Sequence, residues 1–335
     1  MSDFKAVGRP VSFIVPVFNA VDTVVESLDS IVNQNVSVPI EIIIVDDEST
    51  DDSSKVVQEW IDNLDTQQGR ISASYLIIQH GGEAAAINAG IEKVSHEVVA
   101  WVESDVKLAP DWLNHLLPEI EKERTAGAGG CLFPAQDDSA VAKIFGYEIA
   151  YKISSNTDIV RHITSANALY RKEVFDEIGP CRLELGPAGF DSDYNQRLRD
   201  AGYLLRCNAN AAAWHHFKTQ LLDCLVRIWS YGFRRPFVHS QVLYPFDRVV
   251  GVLVLSSALL PLACLIYWWS GGAAICLMGL TVLAPVIYSV FLYCYFKDFV
   301  LLFSSPVFFL RSVIFLSAYM CGWIYKLLAP NTDSS

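Results

Sequence analysis

The first hundred residues alternate between short apolar runs and amphipathic stretches. The apolar runs are rich in β-branched residues, which is typical of buried strands, and they cover 11–18, 40–47, 72–79 and 97–103. Apolar positions at helical spacing predict helices over 21–34, 49–64 and 83–94. This strand–helix alternation predicts an α/β fold with a doubly wound, mostly parallel sheet.

The C-terminal part has a different pattern. Residues 249–296 contain no charged side chain and no His. At about 1.5 Å rise per residue, helices over 249–269 and 273–296 could each cross a hydrocarbon core of about 30 Å. A third apolar segment, 299–325, contains Arg311, which would face protein, snorkel to the interface or place the segment partly in the interface. Two to three transmembrane helices are therefore predicted, with buried core helices of a soluble domain as the alternative.

An amphipathic segment precedes this apolar part. Residues 221–237 place Leu side chains and Trp229 on one helical face, close to Arg234 and Arg235. This pattern favours an interfacial helix on the cytoplasmic leaflet, and a helix packed on the sheet is the alternative. The domains predicted are 1–217 for the α/β part, 218–247 for the membrane-interface segment and 248–328 for the transmembrane region.

Charge and composition bear on the membrane orientation of the α/β part and on whether it binds nucleic acid. The net charge is −12, and of 37 acidic residues only Asp298 and Asp333 lie beyond residue 248. An α/β part this acidic is a poor match for nucleic acid. The polar N-terminus predicts no signal peptide, so we expect an integral membrane protein whose α/β part lies on the cytoplasmic face. Eight cysteines without metal-like spacing indicate a reducing compartment.

Polar clusters follow three predicted strands, at the edge where ligands bind in such sheets. They are Pro16 to Asn19, Asp46 to Glu48, and Glu103 to Asp105. Each alone could be a turn or a helix cap, but carboxylates gathered at one edge are best tolerated around a cation. No glycine-rich phosphate loop is present. We therefore expect a divalent metal on Asp105, with Glu103 as second ligand or supporting residue, to hold a nucleotide diphosphate.

Five stretches occur in an order that resembles inverting family 2 glycosyltransferases of the GT-A fold. They are PVFNA, IIIVDDESTDDS, AAAINAGIEKV, VESDVKLAPDWL and GFDSDYNQRLRDAGY, and the resemblance spans about residues 11–232. It implies a nucleotide-sugar donor, with Asp47 accepting a hydrogen bond from the base, which is usually uracil. Asp105 matches the last acid of the DxD-like motif, whereas Glu103 stands where the family often has Asp or a non-acid. The remaining residues assigned to the donor site are Pro16, Val17, Asn19, Glu48 and Ser104.

The same resemblance supplies a base and a further metal ligand. Asp191 matches the family's general base, although Phe190 replaces the Glu that usually precedes it. Asp193 is expected to cap the helix or support the acceptor, and helix capping is the alternative for Asp191 too. Of the adjacent pair at 215 and 216, His215 is favoured as a ligand of the metal or diphosphate, since neighbouring strand residues point apart.

The sequence thus predicts a membrane-anchored glycosyltransferase that needs Mn²⁺ or Mg²⁺. It would move one sugar from a UDP-linked or other nucleotide-diphosphate donor, with inversion, to a lipid-linked or membrane-proximal acceptor. The chain lacks the QxxRW motif of processive synthases in this family, which favours single transfer. A nucleotidyltransferase of similar fold and a non-catalytic membrane scaffold are the alternatives.

Overall fold

The computed structural model describes residues 5–67, 69–154, 158–185, 189–234 and 271–328, without the side chains of 234 and 271–281. The chain forms two compact units. The first contains Met1–Gln136 and Ile149–His216, and the second contains Asp137–Glu148 and Phe217–Ser335. The three-domain division predicted from the sequence stays a prediction.

The first unit is built on a mixed sheet. Its strands are β1 Val11–Val17, β2 Ile40–Asp46, β3 Ile71–Ile77, β4 Val98–Val102, β5 Val106–Leu108, β6 Thr125–Pro134, β7 Asp158–Val160, β8 Asn167–Arg171 and β9 Leu204–His215. The order is β3-β2-β1-β4-β8-β6-β9-β5, with β7 on β9. The first four strands in this order are parallel, and β8 joins antiparallel to β4. The predicted doubly wound, mostly parallel sheet is confirmed in this half.

Helices alternate with the strands along this part of the chain. They are α1 Val24–Val32, α2 Ser53–Asp62, α3 Glu83–Ile91, α4 Trp112–Glu121, α5 Ala140–Ser154, α6 Glu173–Ile178 and α7 Phe190–Asp200. The three helices predicted before residue 95 are present and shorter, because their polar ends form turns instead. The pattern did not predict β5 to β8, which are short or lack clear alternation.

A buried aromatic cluster fixes α7 on the sheet. The ring of Trp101, in β4, lies 4.5 Å from that of Tyr170 in β8 and 5.3 Å from that of Tyr194 in α7. Phe175 of α6 stacks on the same indole at 5.6 Å. Since aromatic side chains bury the largest apolar areas in a core, this contact sets where the first turn of α7 lies.

In its described residues, the second unit contains the long helices α8 Leu221–Arg234, α9 Gly271–Phe296 and α10 Ser305–Leu328. Among the described residues, α10 is long and apolar enough to cross a membrane, whereas the described apolar part of α9 is shorter. A 3-10 turn, Phe299–Phe303, precedes α10 within the third predicted segment. The first predicted span, 249–269, lies outside the described residues.

Helix α8 packs closely on α10. A Cβ added at Gly232 would lie 2.7 Å from the carbonyl oxygen of Phe315, and one at Gly322 would overlap the backbone of Phe233. Small residues at such crossings let two backbones approach, as they do between membrane helices. The described partner of α8 within this unit is therefore α10, while Leu222 remains exposed.

Arg311, the charged residue near the start of α10, has a partner. The Arg311 guanidinium lies 2.5 Å from Oε1 of Glu148, and the two side chains are only 11% and 6% exposed. Of the positions considered for Arg311, the structure shows the one facing protein. Pairing reduces the large free-energy cost of burying either charge alone.

Removing one member of this pair should cost more than removing both. Arg311→Leu deprives the buried Glu148 carboxylate of its cation, which should lower the free energy of unfolding by about 3–5 kcal/mol. The double variant, with Leu at both positions, buries no charge and should recover much of that loss. Thermal unfolding of both detergent-purified variants measures the difference. Equal losses in the single and double variants would show that the pair contributes through packing alone.

Candidate active site

Glu103, Asp105 and His215 come together at the end of β4. Glu103 directly follows that strand, and Asp105 lies between β4 and β5. The antiparallel pairing of β5 with β9 sets His215 opposite Val106. Nε2 of His215 lies 3.4 Å from Oε2 of Glu103 and 3.5 Å from Oδ1 of Asp105. The structure therefore brings together the three residues predicted as metal ligands.

The chemistry of this cluster fits a divalent cation. One ligand atom from each residue lies within 4.8 Å of the other two. Exposure of the side chains rises from 5% at His215 through 21% at Glu103 to 35% at Asp105, so the open side faces outward. Two carboxylates and an imidazole suit Mn²⁺ better than Mg²⁺, which prefers oxygen ligands alone.

Asp46 ends β2 at the same edge of the sheet, and Asp47 follows it. Oδ1 of Asp47 accepts a hydrogen bond from the backbone N–H of Gly81 at 2.8 Å, and Oδ2 accepts one from Gly82 at 2.9 Å. His80 adds a contact of 2.9 Å from Nδ1 to Oδ2. This buried carboxylate thus fixes the loop before α3, and recognition of a base by Asp47 stays a prediction.

Asp46 links the end of β2 to neighbouring elements through hydrogen bonds. Its carboxylate accepts hydrogen bonds from Ser49 N at 2.7 Å, Ser54 Oγ at 2.6 Å and Tyr75 OH at 2.5 Å. Burial alone would raise the pKa of Asp46, but these donors outweigh it and lower that pKa. Burial and the neighbouring carboxylate raise the pKa of Tyr75 to about 12, so its hydroxyl remains a donor.

The loop after β1 shows which predicted donor-site residues are accessible. Pro16 and Val17 are buried within the strand. Oδ1 of Asn19 accepts hydrogen bonds from Thr50 N at 2.8 Å and from Asp51 N, so it organises the loop before α2. Contact of these three with a nucleoside stays a prediction.

Two further predicted residues of the donor site occupy different settings. Glu48 adopts a left-handed backbone with φ of 62°, and its carboxylate accepts a hydrogen bond from His80 N at 3.1 Å. Ser104 is buried beside the cluster. Contact of Glu48 and Ser104 with the nucleotide-sugar donor stays a prediction.

Asp191 and Asp193 both lie in the first turn of α7 but have different partners. Oδ2 of Asp191 lies 3.3 Å from Nε2 of His162, whereas Asp193 forms ion pairs with Arg182 at 3.1 Å and Arg197 at 2.8 Å. Neither side chain caps the helix at its N-cap position. Asp193 is thus committed to the surrounding fold, and Asp191 keeps 23% of its side chain exposed.

The electrostatics of Asp191 favour an ionised carboxylate. Burial would raise the pKa of Asp191, but His162 and the backbone N–H of Ser192 outweigh that effect and lower it. A base that removes a proton must be charged at working pH and within reach of solvent or substrate, and Asp191 satisfies both conditions.

His216, the neighbour of His215, has a partner outside the Glu103–Asp105–His215 cluster. Nε2 of His216 contacts Glu26 at 2.9 Å, so the two adjacent histidines point apart as expected. Trp229 is exposed on α8. The side chain of Arg234 and the whole of Arg235 lie outside the described residues.

Several residues near the candidate site were not predicted from the sequence. Phe18 is 47% exposed, and its ring lies 4.6 Å from that of His80, which makes an accessible aromatic face near Asp47. Its position directly after a buried strand was a usable signal. His162 and Ser165 lie in a loop between two unpredicted strands, so no pattern pointed to them.

Comparison with known proteins identifies the fold and the family. A mannosyltransferase from Pyrobaculum calidifontis, solved with GDP-Man and Mn²⁺, superposes with a TM-score of 0.59 at 15% identity, covering 96% of this chain and 88% of that one. The fold is thus of the GT-A type. Residues 12–179, about half of the chain, match the family described as Glycosyl transferase family 2. The chain belongs to this family of glycosyltransferases.

Curated relatives agree with this placement. Glycosyltransferase GlyA of Streptococcus pneumoniae serotype 4 is 26% identical over 206 residues, which is 57% of this chain and 28% of that protein. The undecaprenyl-phosphate 4-deoxy-4-formamido-L-arabinose transferase of Pseudomonas fluorescens is 25% identical over 175 residues, covering 51% and 50%. The chain thus spans half or less of the length of both relatives.

The hydrogen bonds to Asp46 predict a pH-dependent stability. Because the folded state lowers this pKa, the stabilisation is fully present above the ordinary value of about 3.9 and is lost as pH falls through the folded-state value. Tyr75→Phe removes one donor, so it should cost about 1–3 kcal/mol at neutral pH and progressively less below pH about 4. Thermal unfolding at several pH values measures this, and a loss independent of pH would indicate a packing effect instead.

Proposed function

We propose that this chain transfers a single sugar from a nucleoside-diphosphate sugar to an acceptor hydroxyl at the membrane, with inversion. The observation that carries the proposal is the joint placement of two chemical groups around one loop. The loop before β8 contacts Glu103 of the acidic cluster through Ser165 and Asp191 through His162. The proposed diphosphate site and the proposed base therefore contact the same loop.

The acidic cluster would bind the donor. Glu103, Asp105 and His215 hold a divalent cation in this proposal, with Mn²⁺ preferred. A bound cation would neutralise the charge of the diphosphate as it leaves. The exposed Phe18 ring offers a face on which the base could stack, beside Asp47. The base is proposed to be uracil, and a GDP-linked donor is tested beside it because the mannosyltransferase was solved with GDP-Man.

Asp191 would perform the proton transfer. Its carboxylate accepts the proton of the acceptor hydroxyl while that oxygen attacks the anomeric carbon from the face opposite the diphosphate. The bond from the anomeric carbon to the diphosphate oxygen breaks with its electron pair, and the configuration inverts. The lowered pKa of Asp191 keeps the base ionised before the attack.

A membrane-proximal acceptor is supported by the second unit. Helix α10 could cross a membrane by length and composition, and many large apolar side chains of this unit are exposed, including Leu222, Trp229 and Phe303. Exposed apolar surface of this extent is typical of contact with lipid. The name of the Pseudomonas fluorescens relative specifies undecaprenyl phosphate, so a lipid-linked acceptor is proposed here, with the first unit on the cytoplasmic face.

The proposal is tested by incubating detergent-purified protein with Mn²⁺ and a panel of UDP- and GDP-linked sugars. Release of nucleoside diphosphate should depend on one donor and should rise when membrane lipid extract is added. Absence of release from every donor, with and without lipid, would overturn the proposal in favour of a scaffold.

Asp105→Ala should weaken metal-dependent donor binding. Loss of the most exposed cluster carboxylate removes one ligand, so UDP affinity in the presence of Mn²⁺ should fall by about 10- to 100-fold. Calorimetric titration of UDP with and without Mn²⁺ measures the effect. Asp111→Ala, at the start of α4, is the matched surface control. Unchanged UDP affinity at saturating Mn²⁺ would argue against the assignment.

Asp191→Asn should separate chemistry from binding. The amide keeps the size of the carboxylate but cannot accept the proton, so turnover should fall by about 10²- to 10⁴-fold while donor affinity is retained. Turnover and UDP affinity are measured on the same preparation. Asp193→Asn serves for comparison, since it alters an ion-paired residue of the same turn. Near-normal turnover of Asp191→Asn would exclude Asp191 as the base.

A further inference from the structure

The loop of residues 161–166, between β7 and β8, contacts both parts of the candidate site. Oγ of Ser165 lies 3.2 Å from Oε1 of Glu103, to which it donates. Nε2 of His162 lies 3.3 Å from Oδ2 of Asp191. His162 is therefore placed to act on the proposed base from a segment that also touches the acidic cluster.

Asn195 fixes which nitrogen of His162 carries the proton. Its side-chain nitrogen lies 2.8 Å from the carbonyl oxygen of Ile163 and 2.7 Å from that of Asp191. Two carbonyl oxygens at these distances require an NH₂ group, since the amide oxygen would be repelled there. The orientation of this buried amide is thus determined by its surroundings.

The third neighbour of the same NH₂ group is Nδ1 of His162, at 3.0 Å. The NH₂ group has two hydrogens for three acceptors, so one hydrogen is shared between a carbonyl oxygen and Nδ1. A proton on Nδ1 would point at these hydrogens, so Nδ1 accepts and the proton of the neutral ring lies on Nε2. That proton faces Oδ2 of Asp191. Asn195 lies one helical turn after Asp191 on α7, so the residue that orients His162 is rigidly tied to the base.

We propose that His162 is a positioning residue for the base: its Nε2–H donates to Oδ2 of Asp191, with Asn195 holding the required tautomer. The proposal rests on the assignment of Asp191 made under the proposed function. In this role His162 fixes one carboxylate oxygen and leaves the other to approach the acceptor hydroxyl. It also stabilises the ionised form of the carboxylate, because a hydrogen bond to the charged form favours that form.

Other titratable groups near Asp191 come from neighbouring elements. Lys152 of α5 acts in the same direction as His162 and lowers the pKa of Asp191. Tyr170 of β8 and Cys181 are kept neutral, because burial raises the pKa of Tyr170 well above its usual value and that of Cys181 to about 12. Removing His162 leaves the Lys152 charge in place, so any change in the ionisation of Asp191 reports on His162.

Two substitutions separate the hydrogen bond from other roles. His162→Gln keeps an N–H donor near the position of Nε2 but cannot carry a proton through the reaction. His162→Phe keeps the volume of the ring and removes the donor. His162→Phe should lower kcat by about 10- to 100-fold with little change in the donor KM, as expected when a reacting group is misplaced. His162→Gln should recover most of that loss.

The pH dependence of kcat distinguishes positioning from a purely structural role, because loss of packing alone would not shift it. Without the N–H group of His162, the pKa of Asp191 should rise. The acid limb of the kcat–pH profile should therefore move to higher pH by about one unit or more in His162→Phe. The limb should stay near its normal position in His162→Gln. His96→Phe, before the amino end of β4, is the control and should leave kcat and the limb unchanged.

Some outcomes would overturn this inference. A normal kcat and acid limb in His162→Phe, while Asp191→Asn is inactive, would overturn positioning by His162 and leave the proposed base intact. Equal losses in His162→Gln and His162→Phe would overturn it by assigning His162 a proton-transfer role. Activity of Asp191→Asn would instead contradict the proposed function, so the two failures are distinguishable.

The tautomer can be read without turnover. Imidazole ¹⁵N NMR of the full chain in detergent, with the His162 signals assigned by their loss in His162→Gln, is recorded at a pH at which the ring is neutral. It should show an unprotonated Nδ1 and a protonated Nε2. Protonation at Nδ1 would overturn the inference even if His162→Phe fails to fold.

Discussion

Negative charge concentrated at one edge of a parallel sheet is the constraint around which this site is arranged. Parallel strands must end at the same edge, so Asp46, Asp47 and Glu103 are brought close by the fold itself. Each has a specific means of compensation. Asp46 receives hydroxyl and backbone donors, Asp47 receives two backbone N–H groups, and Glu103 meets His215. Protein donors thus stabilise the buried carboxylates of Asp46 and Asp47, whereas Asp105, which also contacts His215, has the most exposed side chain of the cluster.

Features of the fold and site that depend on short stretches of sequence could be predicted, whereas those that depend on contacts between distant residues could not. Strands β1 to β4 and their strand-end acids could be predicted because period, length and terminal residues all lie within short windows. The cluster with His215 needed the pairing of β5 with β9, which no local pattern encodes. His162 could not be found because its relevance arises from contacts with Asp191 and Asn195, residues about thirty positions away in an unpredicted arrangement.

Arg311 illustrates the same limit in the apolar part. The sequence leaves several positions for a lone cation in an apolar helix, since composition does not indicate what the helix faces. The structure selects one because Glu148, in a helix far earlier in the chain, ends within ion-pair distance. Conversely, the acidic character of the first 248 residues does not decide the local environment of any carboxylate. Net charge constrains the class of partner, while pairing decides whether a given charge is stabilising.

The position of the proposed base depends on the core as much as on the edge. Asp191 begins a helix whose Tyr194 packs on Trp101, and Trp101 lies in the same strand that ends at Glu103. A rigid aromatic contact thus connects the element carrying the base to the element carrying the cluster. Within that frame, Nε2 of His162 lies 3.3 Å from the carboxylate, and Asn195 contacts the other ring nitrogen. Packing can fix the position of a helix to a fraction of an ångström, but it does not determine which nitrogen of a histidine carries the proton. That requires directional polar contacts.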